Sequence, residues 1–305
     1  MYPVRRKKNR TKVLEQREFV LSCKEVTEYL TFAKLHKLDK VKHMFTTRLG
    51  GVSKGVCSTL NFSFSRGDNP EHVLENYRRM GEILGVSPDA FVATDQTHTT
   101  NIRVVTKTDA GKGVTCPRDY TDIDGLITKE KGLVLSCYFA DCVPLYFVDE
   151  KKEVIGLAHS GWRGTVEGMG ACMVKRMQEE FGCEPQDIVA AIGPSICQDC
   201  YEISGEVAEQ FQRGFWSEKQ IQTFGEEACE RGIHPTGKLL EEGKLPGKYQ
   251  LDLWLANYIV LRSAGVLSEK IEVTDLCTNC NPQYLFSHRA SDGKRGNLAA
   301  FLMLK

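Results

Sequence analysis

Two runs, Leu133–Phe139 (LVLSCYF) and Val143–Val148 (VPLYFV), separated only by Ala140-Asp141-Cys142, decide how this chain is read. Each is a short apolar run bounded by charge or glycine, the pattern of a strand. Taken together they remain shorter than the ~20 residues of a membrane-spanning helix, and Asp141 and Pro144 interrupt them. Working outward, Val154–Ala158 reads as another strand, followed by His159-Ser160-Gly161-Trp162-Arg163-Gly164. A helix is expected from about Gly164 to Phe181, with Val166, Met169, Met173 and Met177 on one face and Gly182 at its end. Ile188–Ile192 returns as a strand closed by Gly193-Pro194. Upstream, Ile102–Thr106 and Gly125–Thr128 are strands. Asn69-Pro70 starts a helix that runs through Leu74, Tyr77, Met80 and Leu84 to Gly85. Downstream, residues 216–249 read as a polar peripheral excursion and Leu251–Ala264 as a helix. Ile271–Thr274, Tyr284–Ser287 and Leu298–Leu304 read as strands. Strands and helices intermix without strict alternation, so the expected fold is a mixed α/β (α+β) sandwich, not a doubly wound parallel sheet.

The chain has 305 residues, 40 Lys and Arg against 40 Asp and Glu, and a formal net charge of zero. Such a balance argues against nucleic acid or an anionic membrane as principal partner, since both call for a basic face. The basic run Arg5-Arg6-Lys7-Lys8-Asn9-Arg10 is short. Residues 1–20 are expected to be a flexible lead-in with a solvated basic segment, and 21–305 a single catalytic domain. No apolar segment follows the basic residues as in a signal peptide. Twelve cysteines are then expected to be thiols, ligands or nucleophiles in a cytoplasmic protein, not disulfides.

Seven histidines can be weighed singly. His36, His43, His72 and His234 sit among charged or turn-like residues and read as surface groups. His98 lies in the polar turn Gln96-Thr97-His98-Thr99-Thr100. His159 ends an apolar strand just before a helix, a common lining of α/β sites. Asp141 and Cys142 stand inside an otherwise apolar run, where an Asp is costly without a partner. One Cys and two His match an open zinc site with three protein ligands. A Cys-His-Asp hydrolase triad uses the same residue types, and the residues alone leave both open. Two CxxC pairs, Cys197/Cys200 and Cys277/Cys280, stand 76 residues apart, far beyond the ~15–20 of a zinc ribbon, and read as buried or incidental cysteines. Arg48, Arg163 and Arg289 lie in glycine- or serine-flanked loops suited to a bidentate clamp on phosphate or carboxylate.

From Thr46 to Phe301 the chain resembles the laccase-domain purine nucleoside phosphorylases, formerly labelled multicopper polyphenol oxidases. The resemblance is carried by Thr47-Arg48-Leu49-Gly50-Gly51-Val52-Ser53, Leu60-Asn61, Gln96-Thr97-His98, Asp124-Gly125, Ala140-Asp141-Cys142-Val143-Pro144, His159-Ser160-Gly161-Trp162-Arg163-Gly164 and Phe286-Ser287-His288-Arg289. It implies a multilayered sandwich of mixed sheets flanked by helices, and a zinc held by His98, Cys142 and His159. It also implies phosphorolysis of adenosine, inosine, guanosine and methylthioadenosine with an adenosine deaminase side activity. Two departures stand out. Thr99 follows the first histidine where the family usually has Gly, and Gly296-Asn297 replaces the usual Gly-Arg, with Arg295 one residue earlier.

On this reading phosphate, placed by Arg48 and Arg163 with Asn61 and Arg289 as further contacts, is both nucleophile and counter-charge to the developing ribosyl cation. Asp141 is the candidate proton carrier or ligand orienter. The alternatives are a copper-dependent laccase-like oxidase, a metal-free Cys142–His159 hydrolase, or a binding module. Multicopper sites use many imidazoles, commonly as His-x-His; this chain has seven histidines and no such pair. A binding module leaves the polar residues inside apolar strands unexplained.

Overall fold

The computed structural model describes residues 1–8, 10–214 and 216–305; Asn9 of the basic run lies outside them. One six-stranded sheet runs, edge to edge, through Leu14–Val20, Val26–Phe32, Val41–Thr46, Leu298–Leu304, Val134–Phe139 and Phe91–Ala93. A second runs through Ile271–Val273, Val189–Ile192, Val143–Asp149, Val154–Ser160, Gly125–Thr128 and Ile102–Val104. Both mix parallel and antiparallel pairs. A three-stranded sheet (Glu202–Ser204, Lys248–Leu251, Leu240–Glu242) sits beside them.

Alternation along the strands explains the layering. Val143, Leu145 and Phe147 point into a cluster with Met173, Met177 and Trp254 of the helices Met169–Phe181 and Leu253–Ser263. Tyr146 and Val148, on the opposite face, meet Leu135, Phe139 and Leu302 between the two sheets. Ala299, Phe301 and Met303 face outward from the first sheet onto Tyr77 and Met80 of the helix Pro70–Leu84. Strands covered on both faces need apolar residues at every position, hence the continuous runs that the sequence displays. The result is the multilayered mixed sandwich that was expected, a single compact domain.

Several elements differ from the reading of the sequence. The helix expected over 164–181 is two, Trp162–Val166 and Met169–Phe181, separated where Gly168 takes φ +79°. Only glycine adopts that conformation without a steric cost, so the chain turns there. Tyr284–Ser287 is buried but is no strand: the Tyr284 and Leu285 amides both donate to the Asn281 carbonyl in a turn. Residues 216–249 contain the helix Glu218–Glu230, started by a Ser217/Gln220 capping box, a signal present in the sequence. Trp216 and Ala228 join the helix-side core.

Two histidines read as surface groups are buried. His43 accepts a hydrogen bond from the Phe32 amide (2.8 Å) and packs against Tyr146; burial pushes its pKa down to about 3. His234 lies 3.0 Å from Asp252. Charged or turn-like residues such as Lys42 and Pro235 adjoin them, but their strand and turn direct these side chains inward.

Residues 14–20, expected to belong to the lead-in, form an edge strand registered along its whole length with Val26–Phe32. The basic run is also engaged. Arg6 pairs with Asp275 (2.5 Å), and Arg10 pairs with fully buried Asp252 (2.6 Å). Burial alone would raise the Asp252 carboxyl, but Arg10 and His234 hold it well below the usual carboxylate range. A depressed carboxylate stabilises the fold above its unfolded pKa and ceases to do so as pH falls. Arg10→Ala is therefore expected to cost about 3 kcal/mol in urea unfolding at pH 7, because it removes the permanent cation from a fully buried carboxylate and leaves His234 and the Leu255 amide as its partners. The difference from the parent should shrink as the pH is lowered through the carboxylate range.

Candidate functional site

The site lies where the chain crosses between the two large sheets. Val134–Phe139 belongs to the first and Val143–Asp149 to the second, so Ala140-Asp141-Cys142 is the corner. Asp141 turns it with φ +89°. Its carboxylate accepts from Thr278 Oγ1 (2.6 Å) and the Arg289 amide (2.7 Å), which holds the corner closed. Antiparallel register opposes Val143 to Ser160 and Pro144 to His159. Cys142 is thereby brought beside Gly161, with His159 next along the same strand.

His98 arrives from the turn after the strand Phe91–Ala93, also with positive φ (+70°). Its Nε2 stands 3.9 Å from Cys142 Sγ. The ring lies over Gly161, where an added Cβ would come within 2.7 Å of His98 Cδ2 and 3.3 Å of Cys142 Sγ. Gly161 is therefore what lets the three side chains meet. Ligand atoms of His98, Cys142 and His159 all lie within 4.8 Å of one another, an arrangement that can hold a metal ion.

Asp124 organises this set. It is fully buried and accepts from His159 Nδ1 (2.7 Å), from the amides of Thr97 (2.9 Å), His98 (3.2 Å) and Thr99 (3.1 Å), and from Thr99 Oγ1 (3.2 Å). With the proton on Nδ1 directed at Asp124, His159 Nε2 is left as the ligand nitrogen, the usual carboxylate–histidine support of a metal site. Thr99, which departs from the family's glycine, adds the hydroxyl bond. Burial pushes the Cys142 thiol up, but His159 and His98 outweigh it and hold it at about 6. Burial lowers the His159 imidazolium, but Cys142 and Asp124 outweigh that and raise it to about 9. Thiolate is the form that binds a metal.

A cavity of about 270 Å³ opens onto the trio, slightly below the ~300–1,000 Å³ of typical ligand sites. Phe64 and Tyr138 supply aromatic surface, with fully buried Phe62 behind them, and Arg66, Arg118 and Arg295 supply charge. Arg118 is occupied by Asp95 (2.6 Å). Arg295 carries a buried Nε–H without a partner, and burial, with Arg66 as its neighbour, lowers its pKa to about 10.

The four expected anion contacts lie elsewhere; none lines this cavity. Arg48 donates to the Ser58 and Pro282 carbonyls and covers the Phe286 ring. Asn61 is fully buried, bonded to Ser63, Asp68 and the Asn297 amide. Arg163 is exposed and stacked on Trp162, and Arg289 reaches the carbonyls of Cys200 and Glu202.

Residues 42–305 match the family model described as multi-copper polyphenol oxidoreductase laccase. The chain belongs to that family. Curated members that it resembles carry another activity in their names. It is 35% identical over 265 residues to the purine nucleoside phosphorylase YlmD of Bacillus subtilis, covering 86% of this chain and 87% of that protein. Against the human purine nucleoside phosphorylase LACC1 it is 30% identical over 270 residues, 86% of this chain and 55% of the relative. Among solved structures of the family, YlmD from Geobacillus stearothermophilus superposes with a TM-score of 0.79 at 35% identity, covering 91% and 96% of the two chains. The Bacillus licheniformis hypothetical protein YfiH gives 0.81 at 32% identity with the same coverage.

In this family member Asp124 is the functional residue to which the sequence alone assigned no role; it stood only in Asp124-Gly125, one of the motifs that carry the resemblance. Asp124→Asn would set an amide N–H either against the His98 amide and His159 Nδ1 or against the Thr97 and Thr99 amides, so one half of this support is lost. Metal affinity is expected to fall roughly 10–100-fold, measured by competition with a chromophoric chelator.

Proposed function

We propose that this protein is a zinc-dependent purine nucleoside phosphorylase that acts on adenosine, inosine, guanosine and methylthioadenosine, with an adenosine deaminase side activity. The observation that carries the reading is a single cavity uniting the His98/Cys142/His159 set, aromatic walls and two guanidinium groups, Arg66 and Arg295, that have no carboxylate partner among the described residues. The names of the curated relatives support the same reaction class.

In this reading Phe64 and Tyr138 flank the purine, and Arg66 and Arg295 bind inorganic phosphate. These two take the place assigned from the sequence to Arg48 and Arg163. Phosphate held on the sugar face attacks the anomeric carbon as the N-glycosidic bond breaks, and its charge offsets that of the ribosyl cation. Arg295 is largely desolvated and has no carboxylate partner among the described residues, so its charge is available to an anion in the cavity. A zinc held by the trio supplies a Lewis acid beside the purine and a means of activating water for deamination. Asp124 keeps His159 in the ligating tautomer, and Asp141 keeps the corner that presents Cys142. Zinc is preferred to copper because one thiolate and two imidazoles form an open zinc site; elemental analysis of the purified protein distinguishes the two.

A second reading is favoured by the Cys142–His159–Asp124 line itself, a thiolate, an imidazolium and a carboxylate in hydrolase order. It requires that Cys142 be covalently labelled by substrate, with turnover, after chelation.

The main test is product analysis with adenosine, with and without phosphate. Ribose 1-phosphate and adenine are expected with phosphate, and inosine from the side reaction; no turnover of any purine nucleoside overturns the proposal. Arg295→Lys should raise the phosphate requirement roughly 10–100-fold, since a point charge cannot replace the guanidinium fork. Deamination should fall much less, and Arg163→Lys should leave phosphate dependence near the parent's. Equal losses in both reactions with unchanged phosphate dependence would remove Arg295 from the anion site.

A further inference from the structure

The two CxxC pairs, 76 residues apart in sequence, meet in the fold. Ligand atoms of Cys197, Cys200, Cys277 and Cys280 all lie within 4.8 Å of one another, and Cys200 Sγ is 3.5 Å from Cys280 Sγ. We propose that these four sulfurs form a second, structural zinc site, separate from the His98/Cys142/His159 set.

The spacing in sequence misleads because the ligands do not come from one ribbon. The strands Val189–Ile192 and Ile271–Val273 are parallel neighbours in the second sheet. Parallel strands end side by side, so the turns after them are adjacent whatever the length of chain between. Ser195 bridges Cys277, and the Thr278 amide donates to the Ser195 carbonyl (3.1 Å). Each turn presents its pair to the other, with Cys197 and Cys277 buried and Cys200 and Cys280 half-buried.

Size and donor chemistry fit zinc. Sulfurs at about 2.3 Å from a tetrahedral ion stand about 3.8 Å apart, within the span observed here. The amides of Cys197 (3.3 Å) and Cys280 (3.4 Å) both donate to Cys277 Sγ, the support that orients a thiolate ligand. Lys7 pairs with Asp199, between the cysteines of the first turn, and so brings a cation to an anionic tetrathiolate centre.

The site would brace three parts of the molecule. Thr278, inside the second pair, donates to Asp141, and Arg289 donates to the carbonyl of Cys200 while its amide holds the other Asp141 oxygen. The corner that presents Cys142 thus hangs on the tetrathiolate turns. The segment Arg5–Lys7 crosses the same loop: the Arg5 amide donates to Asn281 Oδ1 (2.6 Å) and the Lys7 amide to the Asp275 carbonyl (2.9 Å).

The test separates the two metal sites. The full-length double variant His98→Ala/Cys142→Ser, expressed with zinc and passed over a weak chelating resin, should keep one equivalent of zinc per chain. Its X-ray absorption should show a sulfur-only shell. Replacement by cobalt should give the strong visible ligand-field bands of a tetrahedral tetrathiolate. Cys200→Ser/Cys280→Ser should lose that equivalent while the trio's is retained; if this variant does not fold, the trio-less protein still decides the matter. A trio-less protein that holds no zinc, or one with nitrogen or oxygen neighbours, overturns the proposal. So does iron in zinc's place, or an intact mass two hydrogens light with a Cys200–Cys280 peptide link. None of these readouts depends on turnover, so the phosphorylase reading can fail without affecting them.

Discussion

The Asp124 carboxylate is the interaction on which the site depends. It is removed from water and accepts from one imidazole, one hydroxyl and three consecutive backbone amides. Those donors come from two different pieces of chain, the turn 97–99 and the end of the strand Val154–Ser160. Without this anion the turn would have three N–H groups lacking their acceptor, and His98, left-handed at φ +70°, would have no reason to stay in that conformation. The carboxylate therefore does two things with one charge: it fixes the tautomer of His159, and it fixes the backbone that carries His98.

Asp141 shows how a second carboxylate of similar apparent importance can have a different task. It interrupts an apolar run next to Cys142, which suggests participation in chemistry. Its oxygens are instead bonded to Thr278 and the Arg289 amide, so its contribution is to the corner between sheets. A polar residue in an apolar strand signals that a partner exists; the partner's identity is a property of the fold.

The same distinction separates what was legible in the sequence from what was not. Layering could be read because strands covered on both faces must be apolar throughout, and Leu298–Leu304 is a clear case. His98, Cys142 and His159 could be read because each is a metal-type side chain at a strand boundary. Arg295 could not: its place depends on Gly296 packing closely against Phe286 and against Asn61, the latter more than two hundred residues away in sequence. His43 and His234 misled because neighbours in sequence report composition, whereas burial follows the direction of a side chain in its strand or turn. That the cysteine pairs meet was hidden for a related reason, since spacing rules derived from a continuous ribbon do not apply to turns joined by strand pairing.

The position of Leu298–Leu304 carries a consequence for how the molecule comes into being. This strand lies inside the first sheet, hydrogen-bonded to Val41–Thr46 on one side and Val134–Phe139 on the other. It is nevertheless the last of the six to leave the ribosome. Until it emerges, the two halves of that sheet have no common member, and each exposes an unpaired edge. Completion of the sandwich, and with it the closing of the corner between the sheets, is thus a late event in biosynthesis, and premature termination upstream of Leu298 would leave two open edges instead of a shortened protein.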